Sequence, residues 1–296
     1  MQYKIGIDLG GTKIEGIVLD ENFRECFRKR IASEREKGYE HILNNIKLLY
    51  DELCTHTNGH QHTFGIGTPG AISAKSGLMK NSNTTCLNGR PFHTDLEKKL
   101  GRKIAIENDA NCFAMAESLL GMGKGKDMTF GVIMGTGCGG GLVYKGNLIS
   151  GLQKIAGEWG HATINPKNGP TCYCGKKGCI ETYISGHGVE NLYEAYTGTR
   201  RPFAEVISLY RNGDNKASDI VNQFFEHFGI AISNLINTLD PDIIVVGGGL
   251  SNIDELYTIG VEQVRKYVFN DSLETPIVKN MLGDSAGVLG AALIGI

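Results

Sequence analysis

The chain has 296 residues, of which 41% are hydrophobic and 21% are charged, a composition that predicts a folded protein with room for two packed domains. Its formal net charge is −2 and its basic residues are interspersed with acidic ones, which argues against nucleic-acid binding. The N-terminus lacks a basic region followed by a long apolar run, and nowhere do about 18 uncharged apolar residues follow one another. We therefore predict a cytoplasmic protein without a membrane partner.

The first half of the chain begins with a predicted hairpin. Residues 5–20 (IGIDLGGTKIEGIVLD) have the pattern of an alternating strand, a Gly-Gly-Thr turn and a second alternating strand. The predicted elements that follow are a helix at 35–57, a short strand at 63–70, a helix at 92–101, a strand at 103–109 and a helix at 110–121. Gly101 is expected to close the helix at 92–101, because glycine is favoured after the last turn of a helix.

The second half repeats this plan. Residues 130–147 (FGVIMGTGCGGGLVYKGN) again have the pattern of strand, glycine turn and strand. A long helix with apolar periodicity is predicted at 216–240, where Pro241 stops it, and a buried strand follows at 242–246. The repeated hairpin indicates a duplicated α/β domain.

Glycine-rich segments lie at the turns of both hairpins. Residues 135–140 (GTGCGG) match the dinucleotide fingerprint GxGxxG, but that fingerprint requires a following helix, whereas LVYKGNL indicates a strand. No GxxxxGK[ST] segment suggests a P-loop. An ordinary hairpin turn is the alternative for either hairpin alone. Two such turns, with a third glycine run at 247–249 after the buried strand, favour a nucleotide held between two lobes by backbone N–H groups.

Three of the eight cysteines lie close together in the segment CYCGKKGC at residues 172–179. Cytoplasmic thiols stay reduced, so such a cluster indicates a metal site rather than a disulfide framework. With His161 as the nearest upstream soft ligand, the three thiolates complete a four-ligand set for tetrahedral zinc. A closed set of this kind predicts a structural role for the metal. Free buried cysteines are the alternative.

Seven motifs resemble, in this order, those of the ROK family of sugar kinases (repressor, open reading frame, kinase): DLGGTK, GIGTPG, ENDAN, GTGCGGG, GEWGH, CYCGKKGCIE and VVGGGLSN. The resemblance extends over residues 5–295. It implies an α/β fold of two actin-like lobes, of the hexokinase and Hsp70 type, with duplicated phosphate-binding hairpins. We expect residues 1–107 plus 285–296 to form the smaller N-terminal lobe, to which the last helix returns, and residues 108–284 to form the larger lobe with the zinc-binding loop.

The resemblance also implies roles for individual residues. Asp109 is expected to be the general base that takes the proton of the acceptor hydroxyl, although the segment END alone would favour a helix N-cap. The expected sugar-binding residues are Gly70, Asn83, Asn108, Asp109, Glu158, His161 and Glu181. The residues expected to bind ATP and Mg²⁺ are Asp8, Gly10, Gly11, Thr12, Lys13, Gly135, Thr136, Gly137, Gly247, Gly248 and Gly249. The implied structural Zn²⁺ ligands are His161, Cys172, Cys174 and Cys179.

Within the family, the segments KNSNTTCLNGRPF, GEWGH and PTCYCGKKGCIETYISG are most similar to bacterial fructokinases that also take mannose. We therefore expect a homodimeric kinase that uses ATP and Mg²⁺ to phosphorylate the 6-hydroxyl of D-fructose, and also D-mannose. Residues 81–84 are expected to discriminate the acceptor. One alternative is a kinase of N-acetylglucosamine or another N-acetylhexosamine on the same fold. Another is a sugar-sensing regulator, which would need a helix-turn-helix region before the first hairpin.

Overall fold

The structure, a computed structural model, describes residues 2–295 and is built around two five-stranded mixed sheets. The strands of the first half are β1 (Tyr3–Leu9), β2 (Lys13–Leu19), β3 (Glu25–Ala32), β4 (His62–Thr68), β5 (Ala71–Ile72), β6 (Met79–Lys80) and β7 (Ala105–Asn108). The strands of the second half are β8 (Met128–Met134), β9 (Cys138–Tyr144), β10 (Asn147–Leu148), β11 (Ile243–Gly247) and β12 (Ile277–Lys279). The short strands β5 and β6 pair only with each other.

The two large sheets share one topology. In the first, with the order β3-β2-β1-β4-β7, three antiparallel strands are followed by two that run parallel to β1. In the second, with the order β10-β9-β8-β11-β12, three antiparallel strands are again followed by two parallel ones. This correspondence confirms the predicted duplication, and it places the two glycine turns at equivalent positions.

The helices are α1 (Tyr39–Thr55), α2 (Phe92–Leu100), α3 (Asp109–Leu119), α4 (Glu181–Ile184), α5 (Gly186–Thr197), α6 (Phe203–Arg211), α7 (Asn215–Leu239), α8 (Ile259–Tyr267) and α9 (Ala286–Leu293). Gly101 follows α2 with a φ of 68°, in the left-handed conformation, and ends it as predicted. No helix between residues 2 and 295 combines the length and the apolar composition needed to cross a membrane.

The predicted helix boundaries differ from the structure by up to a few residues, and two of these differences have a clear local cause. The helix expected at 35–57 is divided, because Gly38 has a φ of 92° and separates a 3₁₀ turn at Arg35–Lys37 from α1. Helix α3 begins at Asp109, one residue earlier than expected, because the side chain of Asn108 caps its first turn.

Each large sheet has its own hydrophobic core. Side chains of α1, including Ile42 and Ile46, pack with β1 and β4 in the first core, whereas Phe224 and Phe228 of α7 belong to the second. Helix α9 packs against β1, β4 and α3. At Gly290 of α9 an added side chain would clash with the backbone of α3, so the two helices approach very closely. The C-terminal helix therefore lies against the first sheet.

Candidate active site

The first glycine turn, residues 10–12, joins β1 to β2. The N–H of Gly10 donates to the carbonyl of Lys13 at 2.9 Å. Ser33, just beyond β3, fixes the turn from outside: its N–H donates to the Thr12 carbonyl (3.0 Å) and its hydroxyl to the Gly11 carbonyl (2.9 Å). The N–H groups of Gly11 and Thr12 have no hydrogen-bond acceptor among residues 2–295. They are suited to donate hydrogen bonds to an anion such as a phosphate.

The second glycine turn, residues 135–137, joins β8 to β9. The N–H of Gly135 donates to the Gly137 carbonyl at 2.9 Å, which closes the turn. Its outer contacts come from the start of α5, where the N–H of Gly186 donates to the Gly135 carbonyl at 2.8 Å. Within the described chain, the N–H groups of Thr136 and Gly137 lack an acceptor, as in the first turn. The structure therefore presents two equivalent sets of free backbone donors.

The third glycine run begins at Gly247, the last residue of β11, and lies beside the second turn. Gly248 has a φ of 80°, and a Cβ atom there would overlap the carbonyl oxygen of Met134, the last residue of β8. Gly247 is buried against the ring of Phe113, whereas the space around Gly249 is open. The structure thus brings residues 247–249 next to residues 135–137, as a shared nucleotide site requires.

Asp8 lies near the end of β1, opposite Gly67 of β4. The pKa of Asp8 is raised to about 7, first by burial and then by the negative charges of Asp109 and Glu15, while the positive charges of Lys13 and Arg30 oppose the shift. The effect of the Asp109 charge on the pKa of Asp8 indicates that the first sheet and the start of α3 bring two carboxyl groups near each other. A divalent cation or a bound phosphate with its cation would relieve this repulsion.

Asp109 is the first residue of α3 and is accessible to solvent. Protein atoms on its other sides limit hydration of the carboxyl group and so raise its pKa, and the negative charge of Glu158 adds to this rise. Hydrogen bonds from backbone N–H groups, including that of Ala110, lower the pKa and partly offset the rise. Asn108 is the N-cap, since its side-chain oxygen accepts from the N–H of Asn111 at 2.7 Å. Its amide nitrogen remains available to another acceptor.

Glu107, which the sequence did not single out, anchors this region. One of its carboxylate oxygens accepts from the side-chain amide of Asn111 at 2.8 Å, and the other accepts from the hydroxyl of Ser150 at 3.0 Å. The side-chain oxygen of Asn111 is buried and has no partner in residues 2–295. A buried polar atom without a partner is unfavourable, so it marks a place where a ligand hydroxyl would be stabilising.

Three of the seven residues expected to bind the sugar, Glu158, His161 and Glu181, lie around a short 3₁₀ turn, Trp159–His161, and the start of α4. Glu158 precedes the turn and is exposed. Glu181 begins α4, and its carboxylate accepts from the N–H of Cys138 at 2.9 Å, directly after the second glycine turn. His161 places Nε2 at 3.0 Å from the hydroxyl of Tyr173, a contact that the sequence did not indicate. The expected sugar site therefore adjoins the second turn.

A cavity of about 550 Å³ opens at this junction. Its walls come from the second glycine turn, from residues 170–173, and from α4 and α5. A cavity of this volume has room for a hexose or for a nucleotide base.

Gly70 and Asn83, which were also expected to bind the sugar, belong to the first half of the chain. Gly70 has a φ of 84°, and an added Cβ would lie 2.5 Å from the carbonyl oxygen of Lys80 and 2.7 Å from the N–H of Ser82. Glycine is therefore required where the chain passes the acceptor segment at 81–84. Asn83 is exposed, and its side-chain oxygen lies 4.0 Å from where a Cβ on Gly11 would be.

The predicted metal ligands converge. The ligand atoms of His161, Cys172, Cys174 and Cys179 all lie within 4.8 Å of one another. Cys174 Sγ and Cys179 Sγ are 3.6 Å apart, and Cys172 Sγ lies 3.6 Å from His161 Nδ1. With Zn–S bonds of about 2.3 Å, tetrahedral geometry separates two sulfur ligands by about 3.8 Å. The donor set therefore fits zinc in both chemistry and spacing.

The family model described as "ROK family" matches residues 4–295 of the sequence. The chain belongs to the ROK family. An N-acetyl-D-glucosamine kinase of Vibrio atlanticus is 38% identical over 98% of this chain and 99% of its own. Relatives of the same name from other bacteria are 35–38% identical.

Solved ROK structures agree with the fold. The ROK hexokinase of Thermus thermophilus has a TM-score of 0.90 and 30% identity, over 99% of this chain and 97% of that chain. The ROK glucokinase of Streptomyces griseus, solved with glucose and AMPPNP, has a TM-score of 0.74 and 27% identity, with 99% of each chain covered. The predicted two-lobed, hexokinase-like α/β fold and the predicted enzyme class, an ATP-dependent sugar kinase, are confirmed.

The expected acceptor is wrong. The similarity to fructokinases was inferred from a few short segments, whereas the relatives matched over almost the whole of this ROK chain are named for N-acetyl-D-glucosamine. The fructose and mannose assignment is therefore withdrawn in favour of the N-acetylhexosamine alternative.

Proposed function

We propose that this ROK kinase transfers the γ-phosphoryl group of ATP to the 6-hydroxyl of N-acetyl-D-glucosamine. The observation that carries the proposal is the 35–38% identity, over 98% of the chain, to several relatives of that name. The arrangement of the two glycine turns around Asp8 and Asp109 is consistent with a phosphoryl transfer between two bound substrates.

Asp109 is the general base in this proposal. Its raised pKa, caused first by restricted hydration, brings the carboxylate closer to neutral pH, where proton uptake from a hydroxyl is more effective. Its position at the first turn of α3 is fixed by the cap at Asn108 and by the Glu107–Asn111 contact. The residues proposed to orient the sugar are Gly70, Asn83, Asn108, Glu158, His161 and Glu181.

The free N–H groups of the two glycine turns bind the phosphates of ATP, and residues 247–249 line the adenosine side. The carboxylate of Asp8 would hold Mg²⁺ directly or through water, and bound Mg²⁺ would neutralise charge on the β- and γ-phosphates. Lys13 begins β2 next to this turn, and its charge already acts on Asp8. These roles follow from the free donors and from the charge that surrounds them.

Zinc is proposed as a structural ion bound by His161, Cys172, Cys174 and Cys179. Four protein ligands close the coordination sphere, so the ion would not contact substrate. It would fix the loop that carries His161 and leads to Glu181. The position of the Glu181 carboxylate, which accepts from the N–H of Cys138 next to the second glycine turn, would thus be fixed as well.

We also propose the division of the chain into lobes at residues 1–107 with 285–296 and at 108–284, and a homodimeric assembly. The first range contains the first large sheet except for Asn108, the last residue of β7, and the second range contains the second large sheet. Helix α9 packs on the first sheet. Light scattering of the purified protein would give the assembly state, and a monomeric mass would contradict the dimer. A cytoplasmic location stays a prediction.

The acceptor is tested by comparing kcat/KM for N-acetyl-D-glucosamine, N-acetyl-D-mannosamine, D-glucose, D-mannose and D-fructose in one coupled ADP-release assay. We expect N-acetyl-D-glucosamine to exceed each of the others by about tenfold or more, because a site built to pair the acetamido group leaves polar groups unpaired with the other sugars. A higher value for any other sugar would contradict the proposed acceptor.

A further inference from the structure

Arg35 connects the first glycine turn to the acceptor segment. It begins the 3₁₀ turn that follows β3. Its Nη1 atom lies 3.4 Å from the carbonyl oxygen of Asn83 and only 3.1 Å from where a Cβ on Gly11 would stand. The guanidinium group therefore lies between a turn that offers N–H groups to phosphate and the segment proposed to bind sugar.

The charge of Arg35 is not neutralised by a protein carboxylate. Among residues 2–295, no carboxylate oxygen lies within 4.0 Å of its side-chain nitrogens, whereas Arg28 and Arg30 both pair with Glu15. The side chain is exposed. Arginine carries five N–H donors in a planar fork that matches two oxygens of a phosphate. Most of these donors are free in Arg35.

The backbone around Arg35 is held in an unusual conformation. Glu34, directly before it, has a φ of 49° and a ψ of 43°, in the left-handed region of backbone angles that residues other than glycine rarely adopt. The Glu34 carboxylate accepts from Lys37 Nζ and from His41 Nε2, each at 2.7 Å. These contacts hold the bend that sends the Arg35 side chain back over the first turn. Unfavourable backbone conformations are frequent at functional sites.

The facing segment is fixed in a similar way. Asn81 has a φ of 58°. The backbone of Ser82 makes two hydrogen bonds of 2.9 Å with the side-chain amide of Asn88, one as donor and one as acceptor. A cavity of about 520 Å³ lies between the two bends and is lined by Arg35, Glu36, Asn83, Thr85 and Cys86. The cavity thus has an unpaired cation at the edge that faces the first glycine turn.

We propose that Arg35 is a further catalytic residue, whose guanidinium group binds the γ-phosphoryl group during transfer and then the phosphate of the sugar product. This inference rests on the proposed function. In the step, the acceptor oxygen forms a bond to the γ-phosphorus as the bond from that phosphorus to the β–γ bridging oxygen breaks. The bonding electron pair leaves with ADP, and the hydroxyl proton passes to the Asp109 carboxylate. Arg35 stabilises the negative charge on the transferred oxygens.

The test compares Arg35→Gln and Arg35→Lys with the control Arg24→Gln, which alters an exposed arginine in the β2–β3 loop. We expect Arg35→Gln to lower kcat about 100-fold with the KM for sugar changed less than about threefold. Arg35→Lys should retain part of the activity, because it keeps the charge and loses the fork. Arg24→Gln should match the wild type. Equal kcat values for Arg35→Gln and wild type would overturn the proposal.

A binding measurement separates this inference from the proposed function. Titration calorimetry with AMPPNP and with ADP should show that Arg35→Gln weakens binding of AMPPNP about tenfold and leaves that of ADP unchanged, since only AMPPNP carries the γ-phosphoryl group. Equal losses for both nucleotides, or no loss, would overturn the role of Arg35 whatever the sugar. Failure of the wild type to phosphorylate N-acetyl-D-glucosamine, with the AMPPNP difference intact, would instead contradict the acceptor alone.

Discussion

The two glycine turns have equivalent positions in equivalent sheets but are supported differently. The first, at residues 10–12, is fixed by Ser33 and is surrounded by ionisable side chains, among them Asp8 and Arg35. The second, at residues 135–137, is fixed by the backbone of α5 and by Glu181, which follows the metal-ligand loop. The comparison suggests that changes near the first turn alter chemistry and charge, whereas changes near the second alter binding geometry and stability.

The largest expected effect comes from a change among the ionisable side chains near the first glycine turn. Asp109→Asn should lower kcat by about 10²- to 10⁴-fold, because the amide cannot accept the hydroxyl proton. The affinity for sugar, measured by calorimetry, should change little. Asp271→Asn is the control, since Asp271 is an exposed loop residue far along the chain from the site. Full activity of Asp109→Asn would exclude this residue as the base.

On the side of the second turn, Cys174→Ser should remove one zinc ligand. We expect the zinc content, measured by metal analysis, to fall from about one zinc per chain toward zero. Tm should fall by more than about 5 °C, because zinc binding stabilises the folded loop. The KM for substrates should rise, since Glu181 loses its support. The matched control is Cys26→Ser, a change to an exposed cysteine in β3. Absence of zinc in the wild type, or unchanged stability of Cys174→Ser, would refute the metal site.

Gly248→Ala tests the packing of the third glycine run on the second turn. A Cβ at this position would overlap the Met134 carbonyl, and φ is 80°, so the free energy of unfolding should fall by about 1–3 kcal/mol. Gly249→Ala, where the space is open, should cost less than about 1 kcal/mol. Urea unfolding measures both. Equal losses for the two variants would contradict the close contact with Met134.

The smallest expected effect concerns the charge of Asp8 at the first turn. Its pKa is raised to about 7, so the folded protein binds a proton more tightly than the unfolded chain. The resulting stabilisation is present at acid pH and is lost as pH rises toward 7. As pH is raised from 5 to 8 without nucleotide or Mg²⁺, the free energy of unfolding of Asp8→Asn should therefore increase relative to that of the wild type by about 1–2 kcal/mol. A pH-independent difference in urea unfolding would show that Asp8 does not titrate in this way.

Much of the fold followed from local sequence patterns. Alternating residues and paired glycines predicted both hairpins, and Gly101 marked the end of α2, because these signals act within a few positions. The cysteine spacing likewise predicted the donor set that converges in space. The ends of helices were less exact where a cap or a positive φ decided them, as at Asn108 and Gly38.

Other features depend on contacts between distant parts of the chain. Arg35 and Asn83 are 48 positions apart, and Glu107 and Ser150 are 43 apart, so no local pattern indicates that they meet. The acceptor was wrongly inferred for a related reason. Short motifs carry the shared chemistry of phosphoryl transfer, whereas discrimination between sugars depends on side chains that several separate segments bring together.

The most direct test of the central claim is to identify the product formed from ATP and N-acetyl-D-glucosamine. We expect nuclear magnetic resonance to show one phosphorylated sugar, with the phosphate on the 6-oxygen and in equal amount to ADP. A phosphate at another oxygen, or ADP formed without a phosphorylated sugar, would contradict the account.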